Sequence, residues 1–102
     1  KIITLMSMRY LITFTMRISS HEQKGFAAAA GHLRELLQEK EITTSLFRDT
    51  ADEERFTLLF LTEKDIDEIS TIITEDEVVS NMFSRIKEQQ ESMEVSCLQQ
   101  LL

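Results

Sequence analysis

The sequence predicts an α+β fold, a four-stranded antiparallel sheet with two helices on one face, in the order β-α-β-β-α-β. Three observations predict it. From Met6 to Ile18 every even position is apolar (Met6, Met8, Tyr10, Ile12, Phe14, Met16, Ile18), which is the two-residue period of a half-buried strand. After it, Phe26, Ala29, Ala30, Leu33, Leu36 and Leu37 recur at three- and four-residue spacing, the period of a helix that buries one face. The stretch from Arg55 to Thr62 is apolar on both parities, Phe56, Leu58 and Phe60 on one side and Leu59 and Leu61 on the other. That pattern calls for a strand covered on both faces.

Length and composition set the bounds. A chain of 102 residues fits one domain, 1–102, and folding buries somewhat more than about 60% of the surface the unfolded chain exposes. With 42% apolar and 28% charged residues it lies near the globular average. Eighteen acids against eleven bases give a net charge of -7, and the bases are scattered, which argues against a nucleic-acid partner. The single cysteine, Cys97, has no internal partner and no zinc-spaced neighbours, so no metal site is expected and a reducing, cytoplasmic compartment is. Its alternating context predicts a buried apolar filler. No apolar run reaches the roughly 20 residues that span a bilayer, so no membrane partner is expected. Lys1 to Ser7 reads as an upstream extension, with Met8 a candidate start.

Taken in order, the first strand ends at Ser19 and Ser20, and Ser20 with Gln23 has capping-box spacing for the helix that follows. Gly31 within that helix suggests close contact with a neighbour, the preferred reading, or a local weak point, since glycine there costs about 1 kcal/mol against alanine. Ile42 to Asp49 is the second strand, joined through the polar turn Asp49 to Glu54 to the third, Arg55 to Thr62, as a hairpin. Asp65 to Gln90 reads as a helix in two pieces. Ile66, Ile69, Ile72 and Ile73 make one stripe and Val78, Val79, Met82, Phe83 and Ile86 the other, with a break at Thr74 to Glu77, again of capping-box spacing. Met93 to Leu102 is the last strand. Two strand-helix-strand crossovers on one antiparallel sheet give the ferredoxin-like arrangement, with the first and third strands central.

The chain resembles the dimeric α/β-barrel superfamily, and within it the small proteins of the antibiotic biosynthesis monooxygenase type. The likeness is carried by Tyr10 to Ile18, the helix around Phe26 to Leu37, Leu46-Phe-Arg-Asp49 with its acidic turn, Phe56 to Thr62, and the broken helix from Ile66 to Phe83. It implies two ferredoxin-like protomers packed sheet against sheet, each with a pocket between its own sheet and helices. It also implies cofactor-independent oxidation of an aromatic or phenolic substrate by dioxygen, the alternative being a non-catalytic ligand-binding or sensing barrel. Departures from the family pattern touch its heme-handling groups. Thr62 stands where such proteins often carry Trp, Ile72 and Glu77 flank the place of a helix His, and Thr13 and Phe14 occupy the neighbourhood of an Asn. Heme cleavage by that route is therefore disfavoured.

The candidate acid/base groups are Tyr10 and His32. Tyr10 is the sole tyrosine, on the apolar face of the first strand, and is either a core tyrosine with a satisfied hydroxyl or a pocket group. His32 flanks the first helix's apolar stripe and is either a boundary histidine or a proton carrier. Phe14, Phe60, Met82 and Phe83 are candidates to line a pocket for an aromatic ligand, with plain core as the other reading. Leu11, Thr13, Thr15, Leu59 and Leu61 form the sheet face away from the helices. A monomer would leave that face as an apolar patch, so a homodimer is expected.

Overall fold

The computed structural model describes residues 8–89 and 93–102, with only the backbone at residue 89. The predicted start of the first strand at Met6 and the predicted helix end at Gln90 lie outside the described residues. The elements are β1 (Tyr10–Arg17), a 3-10 turn (Ser20–Glu22), α1 (Gln23–Gln38), β2 (Thr43–Arg48), β3 (Arg55–Thr62), α2 (Ile66–Glu75), α3 (Glu77–Gln89) and β4 (Glu94–Gln99). All strand pairs are antiparallel, in the order β2-β3-β1-β4, so the first and third strands are central.

One face of the sheet carries the core. Ile12, Leu58 and Phe60 are wholly buried there against Leu33 and Leu37 of α1, Ile69 of α2 and Val79 of α3. Each such side chain contributes about 1.5–3 kcal/mol by leaving water. α1 packs on β2 and on α3, and α2 packs on α3, while every residue of the edge strand β4 is exposed.

Several local expectations are corrected. The spacing of Ser20 and Gln23 does not form a capping box: Gln23 Nε2 donates instead to the carbonyls of Ile18 and Glu53, tying the helix start to the β2-β3 turn. The break between α2 and α3 falls at Asp76, whose extended backbone separates them, and the cap is Asp76 itself, accepting from Val79 N–H at 3.0 Å. Thr74 makes no cap. Its hydroxyl donates back to the carbonyls of Ser70 and Thr71, the local bonding open to a threonine within a helix.

A β-carbon at Gly31 would meet nothing within 4 Å, so no close approach requires that glycine. Cys97 is exposed rather than buried. It pairs with Ile12 on the helix side of the sheet, but on the edge strand no helix covers it. β3 is buried on one face only: Leu59 and Leu61 are half-buried within the single chain.

Candidate functional site

The extended backbone of Asp76 separates α2 from α3, and a cavity of about 580 Å³ is lined by both helices together with β1 and β4. Its floor is Phe14 of β1 with Met93 and Val95 from the β4 end of the sheet. Phe14 is held by two edge-on ring contacts, to Phe60 at 5.7 Å and to Phe83 at 5.6 Å. Such geometry sets the electropositive edge of one ring against the face of the next and fixes the floor's shape.

The walls are two helical faces. α2 contributes Ser70, Ile73 and Thr74, residues i, i+3 and i+4. α3 contributes Ser80, Phe83, Ser84 and Lys87, again one stripe at helical spacing. Each wall is apolar at its base, where Ile73 and Phe83 are buried, and carries hydroxyls toward the opening. A concave apolar base with few polar groups at its rim is the form of a small-molecule site, and its volume lies in the range of about 300–1,000 Å³ usual for one.

Of the residues singled out from the sequence, Phe14 and Phe83 line this cavity and Phe60 lies wholly buried against Phe14. Met82 lines a different cavity, of about 470 Å³, between the start of α1 and α3. Tyr10 is half-buried at the start of β1, paired with Thr62 and Gln99. His32 stands on α1 with Nε2 at 3.1 Å from Asp76 Oδ2. Neither Tyr10 nor His32 lines the Phe14 cavity. Asp76 is held below the usual carboxylate range, first by Val79 N–H and then by His32, so His32 faces an anion that also caps α3.

The hydroxyl stripes and Lys87 were not singled out from the sequence. Their signal was present as Ser70/Thr74 and Ser80/Ser84/Lys87, polar residues recurring beside the apolar stripe at the same helical spacing. Among the described residues no cluster of three or more His, Cys, Asp or Glu side chains suits a metal ion. No described helix is long and apolar enough to cross a membrane.

A four-stranded antiparallel sheet roofed on one face by helices, with a cavity between the layers, defines a ferredoxin-like α+β domain. The same fold is found in two proteins named "putative antibiotic biosynthesis monooxygenase". The one from Bordetella bronchiseptica is 17% identical with a TM-score of 0.67, covering 95% of this chain and 100% of that one. The one from Nitrosomonas europaea is 11% identical with a TM-score of 0.60, covering 90% and 88%. A conserved protein of unknown function from Bacteroides thetaiotaomicron, described as a possible oxidoreductase, is 16% identical with a TM-score of 0.59, covering 92% and 96%. At these identities the likeness is one of fold. No family model and no curated protein matches the sequence.

Proposed function

We propose that this protein is a small-molecule oxygenase of the antibiotic biosynthesis monooxygenase type, taking an aromatic, phenol-bearing substrate without a cofactor. The observation that carries the reading is the cavity between sheet and helices. Its aromatic floor suits a planar ring, its hydroxyl rim suits ring oxygens, and it sits on a fold shared with proteins named as monooxygenases. In such a reaction the substrate supplies the electrons: an activated CH2 flanked by rings loses a proton, the carbanion reduces dioxygen, one oxygen atom becomes the ring carbonyl and the other leaves as water. The protein's part is to desolvate and orient the ring. Tyr10 and His32, the acid/base groups proposed, lie outside the cavity lining, so a part for either requires the substrate to extend past it; His32 is held by Asp76.

Oxygen uptake with a panel of anthrones and polycyclic phenols tests this reading. Steady turnover, lowered in Tyr10→Phe or His32→Gln, supports it together with the assignment. Turnover unchanged in both variants keeps the reaction and removes those two residues. Silence across the panel, with no ligand retained in native mass spectrometry, overturns the reading.

One observation favours a second reading, a ligand-binding or sensing protein: among the described residues no carboxylate or imidazole lines the cavity. Saturable binding of the same compounds without oxygen uptake would decide for it.

A further inference from the structure

We infer that the cavity beneath α2 and α3 selects aromatic ligands that carry an ionised oxygen, a phenolate, enolate or carboxylate, and that Lys87 is the residue that contacts it. The inference deepens the function proposed above and rests on the same cavity being the binding site.

The argument begins from charge. The chain as a whole carries -7, a field that repels anions, yet among the described residues the only charged side chain lining this cavity is the Lys87 ammonium. Lys87 has no ion pair among the described residues, whereas two other cavities each hold a cation that is paired. In the cavity that Met82 lines, Arg85 is neutralised by Glu22 at 2.7 Å. In a smaller one, of about 390 Å³, Lys64 faces Glu68 at 3.8 Å. Among the described residues, the lining of the cavity with the aromatic floor is therefore positive on an acidic protein.

Position then decides what the charge can do. Ser80, Ser84 and Lys87 follow one another along one face of α3 at spacings of four and three, so the ammonium continues the hydroxyl line at the mouth. A ring lying on Phe14 and Phe83 has its edge directed to that line. An oxyanion on that edge gains a charge-assisted hydrogen bond from the ammonium and neutral ones from the serine hydroxyls. A neutral ring substituent gains only the latter. Because Lys87 is exposed, the gain is screened by water and salt, and a preference of about fivefold to tenfold is expected rather than an absolute one.

The test is a fluorescence titration of the full chain with two dyes of nearly one shape, anionic 8-anilinonaphthalene-1-sulfonate and neutral N-phenyl-1-naphthylamine, on the wild type and on Lys87→Met, Lys87→Arg and Ser84→Phe. The expected result is tighter binding of the sulfonate by the wild type. Lys87→Met should lose that preference and keep its affinity for the neutral dye, and Lys87→Arg should retain the preference. Ser84→Phe, which fills the cavity from an exposed rim position, should weaken both dyes alike. Equal binding of the two dyes by the wild type, or a preference that survives Lys87→Met, overturns the role of Lys87 while leaving the cavity as the site. Dye binding indifferent to Ser84→Phe, or no binding of either dye, overturns the cavity reading and this inference with it.

Discussion

The Thr44 hydroxyl is buried and has no hydrogen-bond partner among the described residues. It sits on the helix side of β2 opposite Phe60, where an unpaired hydroxyl costs free energy that a methyl group would not. Thr44→Val keeps the shape and β-branching, so it should raise stability by about 1 kcal/mol. A urea midpoint that falls would show that the hydroxyl is needed. At the opposite extreme of exposure, Arg17 forks onto Asp52 and Glu54, with Nη1 at 2.6 Å from Asp52 Oδ2. The Arg17 hydrogen bond, aided by the Glu54 N–H, holds the Asp52 carboxyl below its ordinary value of 3.8. A lowered carboxyl stabilises the fold fully above its unfolded value and loses that contribution as pH falls through the folded one. Arg17→Met should therefore lower the melting temperature at neutral pH and flatten its fall as the pH drops through and below the ordinary carboxylate range. With side chains 55% and 37% exposed the effect is modest, and added salt should shrink the difference between variant and wild type.

At the scale of elements, α1 carries a glycine where none is needed and lacks one where its end calls for it. Gly31 has open space at its missing β-carbon. Glu41 takes the left-handed conformation, φ 61°, just after the helix, where Ile42 N–H closes onto the Leu37 carbonyl. That conformation costs little only for glycine. Gly31→Ala and Glu41→Gly should each stabilise by about 0.5–1 kcal/mol, the first by restricting the unfolded chain and the second by relieving strain. Being in separate turns, they should add, as read from denaturant midpoints of the double variant. A loss of stability in Gly31→Ala would show that the helix surface there does meet a neighbour.

For the whole molecule the decisive feature is the sheet face without helices. Register sets Thr43, Leu61, Leu11 and Leu98 in one row across it, Ser45, Leu59, Thr13 and Ser96 in the next, and Phe47, Thr57, Thr15 and Glu94 in a third. Leu11, Leu59 and Leu61 are half-buried, while Phe47 and Leu98 are 57% and 55% exposed. Five apolar side chains set among threonines and serines make a patch that an unpartnered soluble chain rarely leaves open. We propose that a second copy covers it in a twofold, sheet-to-sheet homodimer, the same patch meeting itself. Leu59→Lys would set one ammonium per subunit in the middle row of that contact without a counter-charge. Sedimentation at micromolar concentration should show a wild-type dimer and a dissociated or unfolded variant. A well-behaved wild-type monomer, or an equally stable Leu59→Lys dimer, would refute the assembly.

Periodicity in the sequence determined the kind and order of the elements, the central places of β1 and β3, and the core positions Ile12, Leu33, Phe60 and Ile69. Strands and helices repeat every two and about 3.6 residues, and burial of one face writes that repeat into the chain. What periodicity cannot carry is which neighbour stands opposite a given face. Cys97 alternates like a buried residue and is exposed because strand order leaves β4 at the edge, a fact of long-range pairing. Asp76 rather than Thr74 caps α3 because its own extended backbone breaks the helix there and turns its carboxylate onto Val79 N–H. The hydroxyls of α2, the serines and Lys87 of α3 and the ring of Phe14 are spread over 74 positions, Phe14 to Lys87. Only the tertiary structure, by packing two helices against the sheet, brings them around one cavity.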